Sequence, residues 1–172
     1  MHKFKLVNNK WWAVDCEEII YNEESLGRFS SNHPNTGDRI NDIKNGGAFA
    51  VIDTGTSIMG VPEKYHSMLC RRWTKQVNSV YDGAVACQGG LCISMKSCAT
   101  ILPLLSNLTL RMGGKLFDLM PEAYTFNGAD LTPEYKDTCI FGLMPLPGMV
   151  GGIDMFLLGD VFLRNFYSVY DF

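Results

Sequence analysis

The sequence lacks long apolar runs, basic blocks and an N-terminal signal peptide, the features that identify membrane-spanning, nucleic-acid-binding and newly secreted chains. No apolar run reaches the roughly 18 to 20 residues that a helix needs to cross a bilayer, so the sequence contains no membrane-spanning helix. There is no basic block and the net charge is only −3, so the positive surface expected of a nucleic-acid-binding protein is absent. Residues 1–6 are too short and too polar for a signal peptide, and we expect any targeting signal to lie upstream of them.

Histidine is also scarce, and none of the three histidines lies in a pattern typical of catalysis. His2 is near the terminus, His33 is in a polar stretch, and His66 is in a predicted helix, where we expect it to be partly exposed. No Gly-x-Ser-x-Gly motif surrounds Ser57, so a serine-hydrolase mechanism is disfavoured.

What the sequence does contain is the composition of an ordinary globular domain. Of its 172 residues, 47% are hydrophobic and 19% are charged, which argues against disorder of the whole chain. A chain of this length can bury roughly 70% of the surface that it exposes when unfolded. We therefore expect one folded domain.

The six cysteines are an even number in a domain that is large enough to fold without cross-links. Disulfides are the preferred interpretation, and free buried thiols or a metal site are the alternatives. The run Cys87, Cys92 and Cys98 lacks the paired short spacings of a zinc ribbon, so we predict no metal and no cofactor. Disulfides would indicate an oxidising compartment.

Alternating apolar residues and frequent Gly, Asn and Asp turns predict a chain that is mostly β. Short strands are predicted at residues 4–7, 11–14 and 18–21, with a turn at 8–9 joining the first two. The polar stretch 22–47 is predicted to be a surface loop insertion.

One helix and one hairpin have clear local signals. Apolar residues at i, i+3 and i+4 spacing predict a helix at 62–77, and Pro62 suits a first helical turn. A hairpin is predicted at 105–117, because apolar and polar residues alternate there. Gly113-Gly114 supplies a turn that tolerates positive φ.

The most informative motif is an acid in a tight turn, Asp53-Thr54-Gly55-Thr56-Ser57, directly behind the apolar run 48–52. Such a turn lifts a carboxylate out of a buried strand and surrounds it with hydroxyl and backbone N–H donors, as proton chemistry requires. A second, longer signature lies near the other end, in the segment 156–171, which contains Leu157-Leu158-Gly159-Asp160.

Together and in this order, the two signatures resemble the C-terminal lobe of pepsin-like aspartic proteases. The resemblance runs from residue 4 to residue 172, with 22–47 as the main departure. It implies a mostly β, pepsin-like acid protease fold, as a single C-terminal lobe that is half of a bilobal enzyme, with one or two short helices. It also implies that residues 1–172 lack the N-terminal lobe and the last C-terminal strand.

The resemblance assigns roles to the residues of the turn. Asp53 would be the member of the catalytic dyad that this lobe supplies, and Thr54 would bond across to the other lobe. Gly55 would let its backbone N–H approach the carboxylate. Thr56 and Ser57 would offer hydroxyls to the carboxylate or to the main chain of a substrate.

Further residues are assigned to the surroundings of the turn in the same way. Ile58, Met59 and Leu157 are candidates for the walls of substrate subsites. Gly159 would let the segment 157–159 cross close to the turn.

The resemblance also bears on the cysteines. The family usually carries a disulfide that flanks the predicted hairpin, and we therefore expect Cys98 to pair with Cys139. Cys87 and Cys92 are a possible local pair. The remaining two cysteines are left without an assigned partner.

Pepsin-like enzymes use two aspartates, one from each lobe, whereas this sequence has a single Asp-Thr-Gly. We therefore predict an aspartic endopeptidase that hydrolyses peptide bonds through a water activated by two aspartates. Asp53 would be one, and a missing N-terminal lobe would supply the other, so the chain alone is expected to be inactive. Two alternatives are a homodimer that pairs two copies of Asp53, as in retroviral proteases, and a catalytically silent binding or structural protein.

The expected partners follow from this prediction. They are the N-terminal lobe, from the same precursor or a separate chain, and a peptide or protein substrate, without nucleic acid. The resemblance implies a zymogen of the secretory pathway, either extracellular or in an acidic lysosome or vacuole.

Overall fold

Strands form most of the regular structure, in agreement with the alternating pattern of the sequence. A computed structural model describes residues 3, 4, 6, 11–29, 47–148 and 153–170. The strands in these residues are β1 (Ala13–Asp15), β2 (Glu18–Tyr21), β3 (Glu24–Arg28), β4 (Ala48–Ile52), β5 (Met59–Pro62), β6 (Val85–Gln88), β7 (Leu91–Ser94), β8 (Leu108–Met112), β9 (Lys115–Leu119), β10 (Thr125–Asn127), β11 (Cys139–Phe141), β12 (Leu143–Leu146) and β13 (Asp154–Leu158).

The described helices comprise one long helix and several short ones. The α-helices are α1 (Glu63–Asn78), α2 (Cys98–Ile101), α3 (Pro121–Tyr124) and α4 (Asp160–Leu163), and single 3-10 turns occur at Leu102–Leu104, Gly128–Asp130 and Pro133–Tyr135. None of the helices in the described residues is both long and apolar enough to span a membrane.

The sheet that carries the Asp53 turn has five strands in the order β1-β4-β13-β5-β12. Strand β13 lies between β4 and β5, parallel to β4 and antiparallel to β5. Residues Ala48, Phe49 and Ala50 of β4 are all completely buried. This burial on both faces explains why 48–52 is a continuous apolar run without alternation.

The other strands of the described residues form two four-stranded sheets, in the orders β3-β2-β8-β9 and β10-β11-β7-β6. Strand β3 corrects the prediction that all of 22–47 is a surface loop. It pairs antiparallel with β2, and Leu26 and Phe29 are buried in the core, which anchors this polar stretch to the domain. Residues 30–46 of the predicted loop lie outside the described residues.

The predicted hairpin is confirmed as β8 and β9, with Leu108 opposite Leu119 and Met112 opposite Lys115. Its turn is Gly113-Gly114, with φ of +53° and +71°. Residues that carry a Cβ rarely adopt this left-handed backbone conformation. The two glycines therefore determine where the hairpin reverses.

The predicted helix is confirmed as α1, which begins one residue later than expected, because Pro62 precedes it with an extended ψ of 135°. The apolar stripe of α1 packs into the main core. There the Trp73 ring stacks on Phe141, with ring centroids 4.5 Å apart. The expectation that His66 is partly exposed was wrong, since its side chain is 4% exposed. His66 precedes buried Leu69 by three residues and therefore lies on the same helix face.

The N-terminal strands differ from their predictions. Residues 11–14 were predicted as a strand, and β1 is shifted toward the C terminus, at Ala13–Asp15. Phe4 and Leu6 belong to no strand; the Phe4 ring instead packs on Phe117 of β9 with centroids 5.6 Å apart. The predicted turn at 8–9 lies outside the described residues.

Both expected disulfides are present. Cys98 at the start of α2 is joined to Cys139 at the start of β11, and Cys87 is joined to Cys92 across the β6–β7 hairpin. Cys16 is a buried free thiol, and Cys70 is a partly exposed one. The two cysteines without an assigned partner are therefore not joined to each other.

Candidate active site

Asp53 is the first residue after the central strand β4. Its backbone N–H donates to the carbonyl oxygen of Leu158 at 3.1 Å, which continues the pairing of β4 with β13 beyond the end of β4. The carboxylate accepts two hydrogen bonds, from the Gly55 N–H to Oδ1 at 2.9 Å and from the Thr56 hydroxyl to Oδ2 at 2.6 Å. The strand thus delivers a partly exposed carboxylate that is held by both of its oxygens.

The electrostatic consequence is a more acidic carboxyl group. The hydrogen bond from Thr56, followed by that from Gly55, lowers the pKa of Asp53 below its ordinary value, because both donors favour the charged form. Burial opposes this shift only weakly. Among the described residues, no second acidic group contributes to the pKa of Asp53. An ionised carboxylate of this kind can accept a proton from water.

The second sequence signature meets the turn at Gly159. A Cβ at this position would collide with the backbone carbonyl oxygens of Thr56 and Ile58, so only glycine fits there. The chain then continues into α4 while the Asp160 N–H donates to the Thr56 oxygen at 2.8 Å. The expected close crossing of 157–159 is therefore seen in the structure.

The other predicted site residues differ in exposure. Thr54 and Ser57 are exposed, and Ile58 and Leu157 are partly exposed. Met59, in contrast, is 0% exposed and belongs to the main core, so it does not form the wall of an open subsite. Its N–H donates to the Gly142 oxygen, which turns the backbone into the sheet at the start of β5.

The sequence did not identify Leu158 as the partner of the Asp53 backbone. A signal was present, since the apolar segments 48–52 and 155–158 have the composition of buried neighbouring strands. Their register, with Leu158 opposite Ile52, required the folded structure.

The comparison with known proteins agrees with this geometry. The family model for eukaryotic aspartyl protease matches residues 1–172. Gastricsin from Suncus murinus is 37% identical over 163 residues, which is 94% of this chain and 33% of that protein. Cathepsin D from Canis lupus familiaris is 29% identical over 126 residues, or 73% of this chain and 27% of that protein.

The chain thus spans about a third of the length of the curated relatives it matches. The matched family confirms the resemblance to pepsin-like enzymes and the mostly β fold of a single lobe. With the Asp-Thr-Gly turn at the end of β4 and the family match over its whole length, this chain belongs to the eukaryotic aspartyl protease family.

Proposed function

We propose that this chain supplies one of the two catalytic aspartates of an aspartic endopeptidase. The observation that carries the proposal is the Asp53 carboxylate, partly exposed at the end of a buried strand and held by the Thr56 hydroxyl and the Gly55 N–H. This arrangement suits a carboxylate that must stay ionised and still reach a substrate.

The second aspartate would come from an N-terminal lobe, in the same precursor or in a separate chain. Two carboxylates about 3 Å apart cannot both ionise, so the pair shares one proton, and its titration belongs to the pair. Because both donors favour its charged form, Asp53 would act as the base. It would take a proton from the attacking water while the partner carboxyl protonates the oxygen of the scissile carbonyl.

The surrounding residues would position the two lobes and the substrate. Thr54 is exposed and would bond to the equivalent turn of the other lobe. Ser57 is exposed and would offer its hydroxyl to the substrate main chain, while Ile58 and Leu157 would line subsites with their partly exposed side chains. The substrate would be a peptide or protein.

We further propose that the protein is made as a zymogen in the secretory pathway and acts outside the cell or in a lysosome or vacuole. Two disulfides support this location, because they form and persist in oxidising compartments.

The test is cleavage of acid-denatured globin by the full-length protein, with and without a statine-type peptide inhibitor. Asp53→Asn is expected to lose at least about 10²–10⁴-fold in kcat/KM, the contribution typical of general acid–base catalysis. Asp82→Asn is the matched control and should retain activity, because Asp82 is in an exposed turn and does not contribute to the pKa of Asp53. Wild-type turnover by Asp53→Asn would refute the proposal.

The assembly is tested with the 172-residue chain alone. The proposal predicts no cleavage without the N-terminal lobe. Cleavage that the inhibitor blocks, from a dimer of this chain, would replace the two-lobe assembly with a homodimer that pairs two copies of Asp53. A full-length protein that binds the inhibitor without cleaving globin would indicate a binding protein instead.

A further inference from the structure

A free thiol lies against a disulfide on the face of α1 that packs on the β6–β7 hairpin. The Sγ atom of Cys70 is 3.0 Å from the Sγ of Cys92, which is joined to Cys87. All three sulfur atoms lie within 4.8 Å of one another. Cys70 is 22 residues from Cys92 in sequence, so tertiary packing has brought a potential nucleophile to an existing disulfide.

The three sulfurs differ in their access to solvent. Cys70 and Cys87 are partly exposed and line a cavity of about 230 Å³, whereas Cys92 is only 1% exposed. A reagent in the cavity can therefore reach either of the outer sulfurs but not the buried sulfur of Cys92, which both outer sulfurs approach.

His66 borders the same cavity, one helical turn before Cys70. Its Nδ1 lies 3.4 Å from the Cys70 sulfur, so a neutral imidazole can accept a hydrogen bond from the thiol. Burial lowers the pKa of His66, which favours the neutral form of the ring. The cavity lining also includes Glu63 of α1. The hairpin and β12 contribute Cys87, Gln88 and Pro145, none of which is charged.

We propose that Cys70, Cys87 and Cys92 form a thiol–disulfide exchange site in which Cys92 pairs with either of the other two. In the step, the Cys70 thiol loses its proton to solvent and its sulfur bonds to the Cys92 sulfur. The Cys87–Cys92 bond breaks, and Cys87 leaves as a thiolate that takes up a proton. One disulfide and one thiol are present before and after, so no oxidant or reductant is consumed.

The exchange changes what the disulfide connects. The Cys87–Cys92 bond joins residues 5 apart within one hairpin, whereas a Cys70–Cys92 bond joins residues 22 apart and ties α1 to β7. A cross-link over the longer segment constrains the unfolded chain more. The thiol that faces the cavity becomes Cys87, so the site of reaction with a small thiol-reactive molecule moves from the helix to the hairpin.

The rate should depend steeply on pH. Burial raises the pKa of the Cys70 thiol to about 11, while the nearby charge of Arg71 opposes this shift. Since the thiolate is the attacking species, exchange should accelerate about tenfold per pH unit below that pKa. In an acidic compartment the original pairing would persist.

The test follows the position of the free thiol in the full-length protein. Samples incubated at pH 4, 7 and 9 are denatured at pH 6 with N-ethylmaleimide, and the labelled cysteines are located by non-reducing peptide mapping. Cys16, the other free thiol, is labelled in every sample, so the label on Cys70 or Cys87 is the readout. We expect the label on Cys70 at first and its transfer to Cys87 during incubation at pH 9. A label that stays on Cys70 at every pH would overturn the proposal.

Two variants test the pairing directly. Cys87→Ser, produced in an oxidising host, is expected to contain a Cys70–Cys92 disulfide; both cysteines labelled instead would contradict the exchange. Cys70→Ser should never yield a labelled Cys87. If Cys87→Ser fails to fold, the transfer of the label in the wild-type protein still shows whether exchange occurs.

Two controls separate this site from other groups. Cys16→Ser removes a buried thiol outside the cluster and should leave the rate of exchange unchanged. Asp53→Asn should also exchange at the wild-type rate, because the proposal does not depend on the Asp turn. A slower rate in Cys16→Ser would overturn the assignment of Cys70 as the attacking thiol.

Discussion

The hydroxyl of Thr56 donates a 2.6 Å hydrogen bond to Oδ2 of Asp53, three residues before it in the chain. The bond closes the turn through side chains, while the Thr56 N–H contacts the Asp53 carbonyl oxygen at 3.4 Å. The bond from the Thr56 hydroxyl is also the largest contribution to the lowered pKa of Asp53. Thr56 thus contributes to both the shape of the turn and the acidity of the carboxyl group.

Thr56→Val should therefore raise the pKa of Asp53, because the charged form loses its stronger donor and only the Gly55 N–H remains. The base must be ionised for activity, so the acid limb of the pH profile of kcat/KM should move to higher pH. Thr56→Ser keeps the hydroxyl and should retain the wild-type profile. If both variants show the same acid limb, the Thr56 bond does not control the Asp53 charge.

Gly159→Ala should destabilise the fold by about 1–3 kcal/mol, the usual cost of overpacking. The new Cβ would collide with the carbonyl oxygens of Thr56 and Ile58, which are backbone atoms and cannot rotate away. Gly148→Ala is the matched control, since nothing lies within 4 Å of its added Cβ, and it should stay within about 0.5 kcal/mol of wild type. Urea unfolding measures the loss of stability in each variant. Equal losses in Gly159→Ala and Gly148→Ala would refute the close crossing at Gly159.

Glu18 should make the stability of the domain sensitive to acid. Its side chain is buried and accepts hydrogen bonds from Arg28 Nε at 2.7 Å and Arg111 Nε at 3.1 Å. Burial raises the pKa of Glu18, but the bonds from these arginines and from Ser25 outweigh it and lower the pKa to about 2. The unfolded chain therefore binds a proton near pH 4.5, before the folded chain does.

The contribution of Glu18 is fully present above pH 4.5 and is lost as the pH falls toward 2. The difference in the free energy of unfolding between wild type and Glu18→Gln, measured with urea, should consequently be largest above pH 4.5 and should become smaller at pH 2. Glu24→Gln removes the exposed pair with Arg72, which solvent screens, and should leave stability nearly unchanged at every pH. A difference for Glu18→Gln that does not vary with pH would contradict the assigned role of Glu18.

The two disulfides should contribute unequally to stability. In the chain-entropy model, the Cys98–Cys139 bond over 41 residues contributes about 4 kcal/mol and the Cys87–Cys92 bond over 5 residues about 2 kcal/mol. Replacing both members of each pair by Ala and measuring the unfolding free energy tests this order. Removing both Cys87 and Cys92 also prevents Cys70 from forming a substitute bond. Equal losses would show that loop length does not control the difference.

Local sequence patterns predicted the elements whose geometry depends on neighbouring residues. Apolar spacing predicted α1 because one helix face must be buried, and Gly113-Gly114 predicted the β8–β9 turn because that turn needs positive φ. The Asp53 turn was identifiable for the same reason. Its donors, Gly55 and Thr56, lie within three residues of the acid.

Relationships between distant segments were not contained in these local patterns. His66 and Met59 were misjudged because their burial depends on which strands cover them. Glu18 and Arg111 are 93 residues apart, and only the pairing of β2 with β8 makes them neighbours. Cys70 likewise meets Cys92 only because α1 packs on the β6–β7 hairpin.

The amino-acid order alone was therefore enough to identify the family, the Asp53 turn and the flanking disulfide. Short-range hydrogen bonds and backbone preferences act within a few residues and leave a readable pattern. The contact of Gly159 with Thr56 and the cluster of three sulfurs depended on how strands and helices pack. Burial and packing energies are summed over segments far apart in the chain, so these features emerge only in the folded structure.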